Sequence, residues 1–253
     1  MQELSKSKIS LIGSLSLKKY RQEHNLFIAE GQKIISEIAD SSFNIKYLVY
    51  NRDKDFEIIN GQFESFETNN SGMKKISALK TPPSIFAIVE RQEIELDFQK
   101  LKNKLSIVLD DIQDPGNLGS IIRTCDWFGI ENLICSQNST HAYNPKVIQA
   151  SMGAFLRVNN YYVDLPEFLS EYKKQTVQTC YGTFLEGENI YQTELSQEGL
   201  FILGNEGNGI SIEVEALVDK KIHIPSFSNV ETHSESLNIS VAGAIVASEF
   251  RRK

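Results

Sequence analysis

The sequence reads as an α/β protein in two parts, a small amino-terminal α/β unit followed by a larger domain built on a mostly parallel sheet. Apolar runs alternate with helix-like segments along the whole chain, the pattern of strands joined by crossover helices. Clusters of Gly, Asn, Ser and Arg follow three of the later runs, where strands hand over to helices and open α/β sheets bind ligands. The polar stretch ERQEIELDFQKLKNK lacks a strong period, and this composition shift marks a boundary near residues 91–104. The parts are therefore residues 1–95 and 104–253.

In the first part LSLKKYRQEHN reads as helix, LFIAE as strand, GQKIISEIAD as helix, IKYLVY as strand, SGMKKISAL as helix and SIFAIVE as strand. In the second, strands are expected at LSIVL, NLIC, NYYVD, VQTCYG, LFILG and KIHIP, each followed by a loop or a helix-like segment. The final segment, SLNISVAGAIVASEFRRK, places Leu237, Val241, Ala244, Ile245 and Ser248 at helical spacing. This predicts a helix packed on the sheet, capped by Ser236 and ending in cations that complement its dipole.

Composition narrows the function. With 253 residues, 41% hydrophobic and 23% charged, the chain can bury a core. No apolar stretch approaches the roughly 20 residues of a membrane span, and the start MQELSKSKIS has no signal core, so a soluble cytoplasmic protein is expected. Cys125, Cys135 and Cys180 are odd in number and lack CxxC spacing, which favours buried reduced thiols. His24, His141, His223 and His233 form no metal-binding pattern, so no metal is expected. A net charge of −7 argues against a polyanionic partner. Local clusters run the other way, at Lys18, Lys19 and Arg21 around Tyr20, at Lys74 and Lys75, at Lys100, Lys102 and Lys104, and at Arg251, Arg252 and Lys253.

Three segments carry the chemistry. In DDIQDPGNLGSIIRTCDWFGI, Pro115 suits a helix start, Asn117 falls in its first turn and Arg123 lies six residues further on. A guanidinium can hold phosphate oxygens in bidentate fashion, as a site handling a ribose backbone needs; a surface salt bridge is the plainer alternative. FILGNEGNGIS spaces its glycines as GxxGxG, and no GxxxxGK occurs, so neither familiar nucleotide loop is present. Such a turn brings bare backbone close to a thin ligand, or is simply a tight turn needing positive φ. In SESLNISVAGAIV, capping accounts for Ser236, whereas Asn238 is a poor residue for a helix interior and points to a polar task beyond capping.

Taken together, DPGNLGSIIRTCDWFG, ILGNEGNGIS and IPSFSNVETHSESLNISVAGAI resemble the three ordered motifs of the SpoU (TrmH-type) RNA 2′-O-ribose methyltransferases of the SPOUT superfamily. The stretch SLKKYRQEHNLFIAEGQKIISE resembles the small ribosomal-protein-like substrate-binding domain that precedes many such catalytic domains. The resemblance implies a deep trefoil knot, a rare exception to unknotted chains, and a homodimer. It also implies S-adenosylmethionine bent in the knotted loops, its site completed at the dimer interface, and methyl transfer to a ribose 2′-hydroxyl. Carried onto this sequence, Thr183, Gly204, Ile224 and Leu237 would hold the cofactor. Arg123 would be the catalytic arginine, Asn117 and Glu206 would shape the site, and Ser236 with Asn238 would orient reacting groups. Arginine, with a pKa above about 12, is an awkward base, so Arg123 is expected to act beside an RNA phosphate or to stabilise the forming alkoxide.

The two-part layout favours ribosomal RNA as the substrate over transfer RNA. The rivals are a non-catalytic RNA-binding or assembly protein and an unrelated nucleotide-binding enzyme. The connection SFSNVETHSE is longer than the usual family one, and is either a surface insertion or a source of substrate contacts through Phe227, Asn229 or His233.

Overall fold

The computed structural model describes residues 1–228 and 235–252; Asn229 and His233 of the long connection lie outside them. The chain divides into two compact units, one of Met1–Glu93 with His141–Leu156, the other of Ile94–Thr140 with Arg157–Lys253. In chain order the first elements are β1 (Gln2–Glu3), α1 (Lys6–Ser14), α2 (Lys18–His24), β2 (Leu26–Glu30), α3 (Gln32–Ala39), β3 (Ile45–Asn51), β4 (Ser65–Thr68), α4 (Asn70–Ile76) and β5 (Ile85–Glu90). Then come β6 (Leu105–Leu109), α5 (Pro115–Trp127), β7 (Asn132–Ser136), α6 (Pro145–Ser151), β8 (Asn159–Val163), α7 (Leu165–Gln175) and β9 (Cys180–Asn189). The chain continues through β10 (Gly199–Leu203), α8 (Ile212–Glu215), β11 (Lys220–His223) and α9 (Ile239–Arg251).

The first unit is a mixed five-stranded sheet in the order β1-β4-β3-β5-β2. Its first two pairings are parallel and the other two antiparallel. The run LFIAE is buried along its full length, as befits a strand covered on both faces. On α3, Ile34, Ile35 and Ile38 form the buried stripe, and Gly31 supplies the φ of 101° at its start that a side chain would resist. The segment carrying α6 belongs to this unit because its rings pack there: Tyr143 stacks on Phe27 at 4.7 Å and Phe155 meets Phe27 edge-on at 6.0 Å. Arg21 departs from the expected basic patch. Its side chain is buried, and Nη1 donates to the carbonyls of Leu15 and Ser16 at 2.9 and 2.7 Å, so it caps α1 instead of facing solvent.

The second unit is a six-stranded, wholly parallel sheet in the order β11-β9-β10-β6-β7-β8. Both faces of its central strands are covered, which explains the mostly apolar, buried runs of β6, β7 and β10. On β10, Leu200 and Ile202 share a core cluster with Phe168, Leu169 and Tyr172 of α7. From the same strand, Phe201 stacks on Phe250 of α9 at 5.4 Å. The three cysteines are free and buried, and burial pushes the Cys135 and Cys180 thiols up to about 12.

The face of α9 differs from the sequence expectation. Its buried residues are Ile239, Gly243, Val246, Ala247 and Phe250, whereas Leu237 and Val241 are 50% and 48% exposed. Asn238, not Ser236, is the N-cap, its Oδ1 accepting from the Ser240 N–H at 2.9 Å, and the positions packed on the sheet stand two residues further along the helix than the expected set. Gly243 permits close packing, since a Cβ there would lie 3.0 Å from Leu203 Cδ1.

Candidate active site

The site forms where β6 and β10, hydrogen-bonded neighbours, end side by side. From β6 the chain passes through Asp110–Asp114 into α5, whose first residue is Pro115 and whose cap is Asp114, with Oδ1 accepting from the Asn117 N–H at 2.8 Å. Proline at this position forgoes an N–H that the helix would leave unpaired. From β10 the chain enters a turn closed by reciprocal backbone bonds between Asn205 and Gly209 at 2.8 and 2.9 Å. Gly204 is obligatory here, because a Cβ would stand 2.1 Å from the Gly209 carbonyl carbon and 2.2 Å from the Ile210 nitrogen.

Two ties cross between these loops. The Asp110 N–H donates to the Leu203 carbonyl at 2.9 Å, and Asn205 Nδ2 donates to the Asp111 carbonyl at 2.7 Å. Beyond the turn, Asp110 Oδ2 accepts from both the N–H and the hydroxyl of Ser211, at 2.8 and 2.7 Å. Sequence reasoning singled out neither Asp110 nor Asn205. The available signal was weak, an Asn inside a glycine-rich turn, a residue that commonly bonds its own backbone.

One residue from each of the three sequence motifs meets in a single relay. Asn117 Nδ2 donates to Glu206 Oε1 at 2.9 Å, and Asn238 Nδ2 donates to Asn117 Oδ1 at 2.9 Å. Asn238 Oδ1 then accepts from the Ser240 N–H and from its hydroxyl at 2.9 and 2.7 Å. The ends fix the direction of every amide. A carboxylate only accepts and a helix N–H only donates, so both asparagines must point their NH2 groups toward Glu206. These residues lie 89 and 121 positions apart. The helices α5 and α9 run parallel, their starts joined by Asn117 and Asn238. Their far ends are joined by Arg251, which donates to the Phe128 and Gly129 carbonyls at 3.0 and 3.2 Å.

The remaining expected residues lie around this relay. Arg123 is exposed on α5 and makes no ion pair among the described residues. Six residues from Asn117, it leaves a different side of the helix, and the relay does not include it. Ser236 is exposed two residues before the α9 cap and forms no hydrogen bond among the described residues. Gly204 and Ile224 follow the ends of β10 and β11, while Thr183 lies within β9, just past its last pairing with β10 at Gly182 and at the register shift of its pairing with β11. The Thr183 hydroxyl donates to the Ile202 carbonyl at 2.8 Å, tying β9 to β10, and Leu237 stays half-exposed. Among the described residues no group of three or more His, Cys, Asp or Glu could hold a metal ion.

Comparison with known proteins places these features. The model of the SpoU rRNA Methylase family matches residues 104–248, and that of the MRM3-like substrate binding domain matches residues 6–87. The chain is 29% identical over 244 residues to the 23S rRNA (guanosine(2553)-2'-O)-methyltransferase RlmP of Bacillus subtilis, covering 94% of this chain and 93% of that one. A solved structure, a putative RNA methyltransferase of the TrmH family from Porphyromonas gingivalis, is similar at a TM-score of 0.83 and 33% identity over 98% of each chain. The fold is also that of the SpoU methyltransferase AviRb from Streptomyces viridochromogenes in complex with AdoMet, with a TM-score of 0.87, 21% identity, and 98% and 97% of the two chains covered. With its three motifs joined in one relay and more than half of its length matched by the family model, the chain belongs to the SpoU rRNA Methylase family.

Proposed function

We propose that this protein transfers a methyl group from S-adenosylmethionine to a ribose 2′-hydroxyl of ribosomal RNA. The observation that carries the reading is the Glu206–Asn117–Asn238 relay, which joins one residue of each motif at the carboxyl edge of the parallel sheet. The full-length relative in Bacillus subtilis bears the name of a 23S rRNA 2'-O-methyltransferase, which supports ribosomal RNA as the substrate.

The residues present fit the cofactor. Gly204 and Ile224 offer backbone at the ends of β10 and β11, Thr183 lies within β9, between them in the sheet, with its hydroxyl on β10, and Leu237, next to Asn238 of the relay in sequence, offers a half-exposed apolar surface. When bound, S-adenosylmethionine supplies a methyl on a sulfonium, an activated donor. The chain must then orient the ribose hydroxyl and stabilise the charge it develops. The relay presents a carboxylate and two amides of fixed direction for orientation, with Ser236 adding a hydroxyl that is unpaired among the described residues. Arg123, without an ion pair among the described residues and permanently charged, serves as the electrostatic partner of the forming alkoxide or of an RNA phosphate.

The first unit serves as the RNA-binding domain. Lys74 and Lys75 in the last turn of α4 are exposed and supply the positive charge that Arg21 does not. A homodimer belongs to the same reading, supported by the exposed Trp127 on α5 and Val241 on α9, apolar side chains on two adjacent helices that a second copy would cover. The trefoil knot goes with the family. A cytoplasmic location accords with the described residues, none of whose helices is long and apolar enough to cross a membrane.

The test is transfer of labelled methyl from S-adenosylmethionine to RNA from cells lacking the gene, followed by nucleoside digestion. Label on a ribose 2′-oxygen of ribosomal RNA is expected. Label in transfer RNA would change the substrate, and cofactor binding without label would favour the non-catalytic reading. Arg123→Ala is expected to abolish transfer while calorimetric affinity for S-adenosylmethionine is retained.

A further inference from the structure

The turn that carries Glu206 is closed by its own backbone bonds but has no buried side chain to anchor it on the sheet. Between the buried Leu203 and the buried Ile210, none of its side chains is buried, and three of its residues are glycine. Such a segment samples many conformations unless other groups restrain it. The restraint comes from polar side chains that the reaction scheme above does not use.

At the near foot, Asn205 works in two directions. Its Oδ1 accepts from the Gly207 and Asn208 N–H groups at 2.9 and 3.1 Å, shaping the turn from within, while its Nδ2 reaches the Asp111 carbonyl at 2.7 Å. At the far foot, Asp110, only 7% exposed, receives both donors of Ser211 on one carboxylate oxygen. The receiving residue is itself fixed. Asp111 stands at φ 56°, its N–H donating to Ser136 Oγ at 2.9 Å and its Oδ1 accepting from Gln113 Nε2 at 2.6 Å. A non-glycine residue keeps that backbone conformation when its surroundings over-determine it.

We infer that Asn205, with Asp110 at the other foot, is a positioning residue for methyl transfer. It acts through Glu206, holding the 204–211 turn on the carboxyl end of β6 so that the Glu206 carboxylate meets Asn117. The inference rests on the proposed reading that Glu206 serves the reaction. It separates two features of the GNEGNG turn: glycine at 204 makes room, and asparagine at 205 sets the aim.

Asn205→Asp is the discriminating variant. It keeps the shape and the oxygen that shapes the turn, but loses the donor to Asp111 and sets a carboxylate against that carbonyl. In steady-state methylation of ribosomal RNA, kcat is expected to fall about 10- to 100-fold, with KM for RNA unchanged within about threefold. In the Glu206→Gln background the same substitution is expected to add less than about threefold, because both changes disable one element. Ser211→Ala, which removes one of the two bonds to Asp110, should lower kcat about two- to fivefold in the parent and not at all with Glu206→Gln; it carries the test if Asn205→Asp does not fold. Parental kcat in Asn205→Asp, or losses that multiply in the double variant, would overturn the inference while leaving the methyltransferase reading intact. A parent chain that methylates no RNA removes both.

Discussion

Asn238 holds two jobs that substitution can separate. Its Oδ1 caps α9 through Ser240, and its Nδ2 extends the relay to Asn117. Asn238→Ala removes both. Loss of an N-cap costs about 1 kcal/mol, and loss of an exposed amide hydrogen bond costs about 0.5 to 1 kcal/mol net. Together these should lower the unfolding midpoint by roughly 3 to 8 °C, at about 2 to 4 °C per kcal/mol for a chain of this size. Asn238→Asp keeps an acceptor for the Ser240 N–H and adds a negative charge at a helix start, which is favourable by about 0.3 to 1 kcal/mol. It cannot donate to Asn117. Its carboxylate would compete with Glu206 for the single NH2 of Asn117, so the relay cannot be satisfied at both ends. The Asp variant should therefore melt within about 2 to 4 °C of the parent, a change under about 1 kcal/mol, yet lose about 10- to 100-fold in single-turnover methyl transfer, about 1.4 to 2.7 kcal/mol of barrier. Circular dichroism melting and a saturating-cofactor turnover assay read the two quantities independently. An Asp variant as unstable as the Ala variant but as active as the parent would refute the assignment of cap and relay to the two ends of one amide.

Other perturbations follow from the same geometry. Gly204→Ala forces a Cβ to within 2.5 Å of three backbone atoms, so calorimetry should find S-adenosylmethionine affinity reduced by at least about tenfold, a cost of about 1.4 kcal/mol, along with a lowered melting temperature. Arg251→Ala strips two hydrogen bonds from the end of α5 and should destabilise the protein by about 1 to 2 kcal/mol in urea unfolding; an unchanged midpoint would contradict that role. Burial, and then the charges of Arg91, Arg21 and Lys18, push the His141 pKa down from 6.5 to about 3, and its Nδ1 accepts from the Tyr143 N–H at 3.2 Å. The unfolded chain binds the extra proton between those values, so this contribution to stability is fully present above about pH 6.5 and is lost as pH falls toward 3. Unfolding titrations at several pH values should show that slope, and His141→Gln should flatten it.

Much of this was legible in the sequence, and the exceptions have physical causes. The strands LSIVL and LFILG are apolar but for Ser106 because helices cover both faces of the parallel sheet, and their composition marks them as core. The three motifs could be read as one site because glycine, proline and asparagine have narrow backbone uses at strand ends. Side-chain direction was not legible. Arg21 looks like one more cation beside Lys18 and Lys19, and only the fold brings the carbonyls of Leu15 and Ser16 within its reach. Ser236 and Asn238 are both good caps, and only the fold shows that Asn238 caps while also reaching Asn117, 121 residues away. The short β4 and α1 are not legible, because SFET and KSKISLIGS carry little apolar periodicity. Likewise, nothing in residues 141–156 announces that Tyr143 and Phe155 pack on Phe27.

The parallel pairing of α5 with α9 also bears on the order in which the protein acquires its activity during synthesis. All six strands of the second sheet have emerged by His223, but Asn238 and the helix it starts come later. Long-range closures of this kind are slow steps in folding. A nascent chain can thus present a complete sheet, with Glu206 already against Asn117, while its third motif is still undocked, and a helix made after every strand is the one that finishes the site.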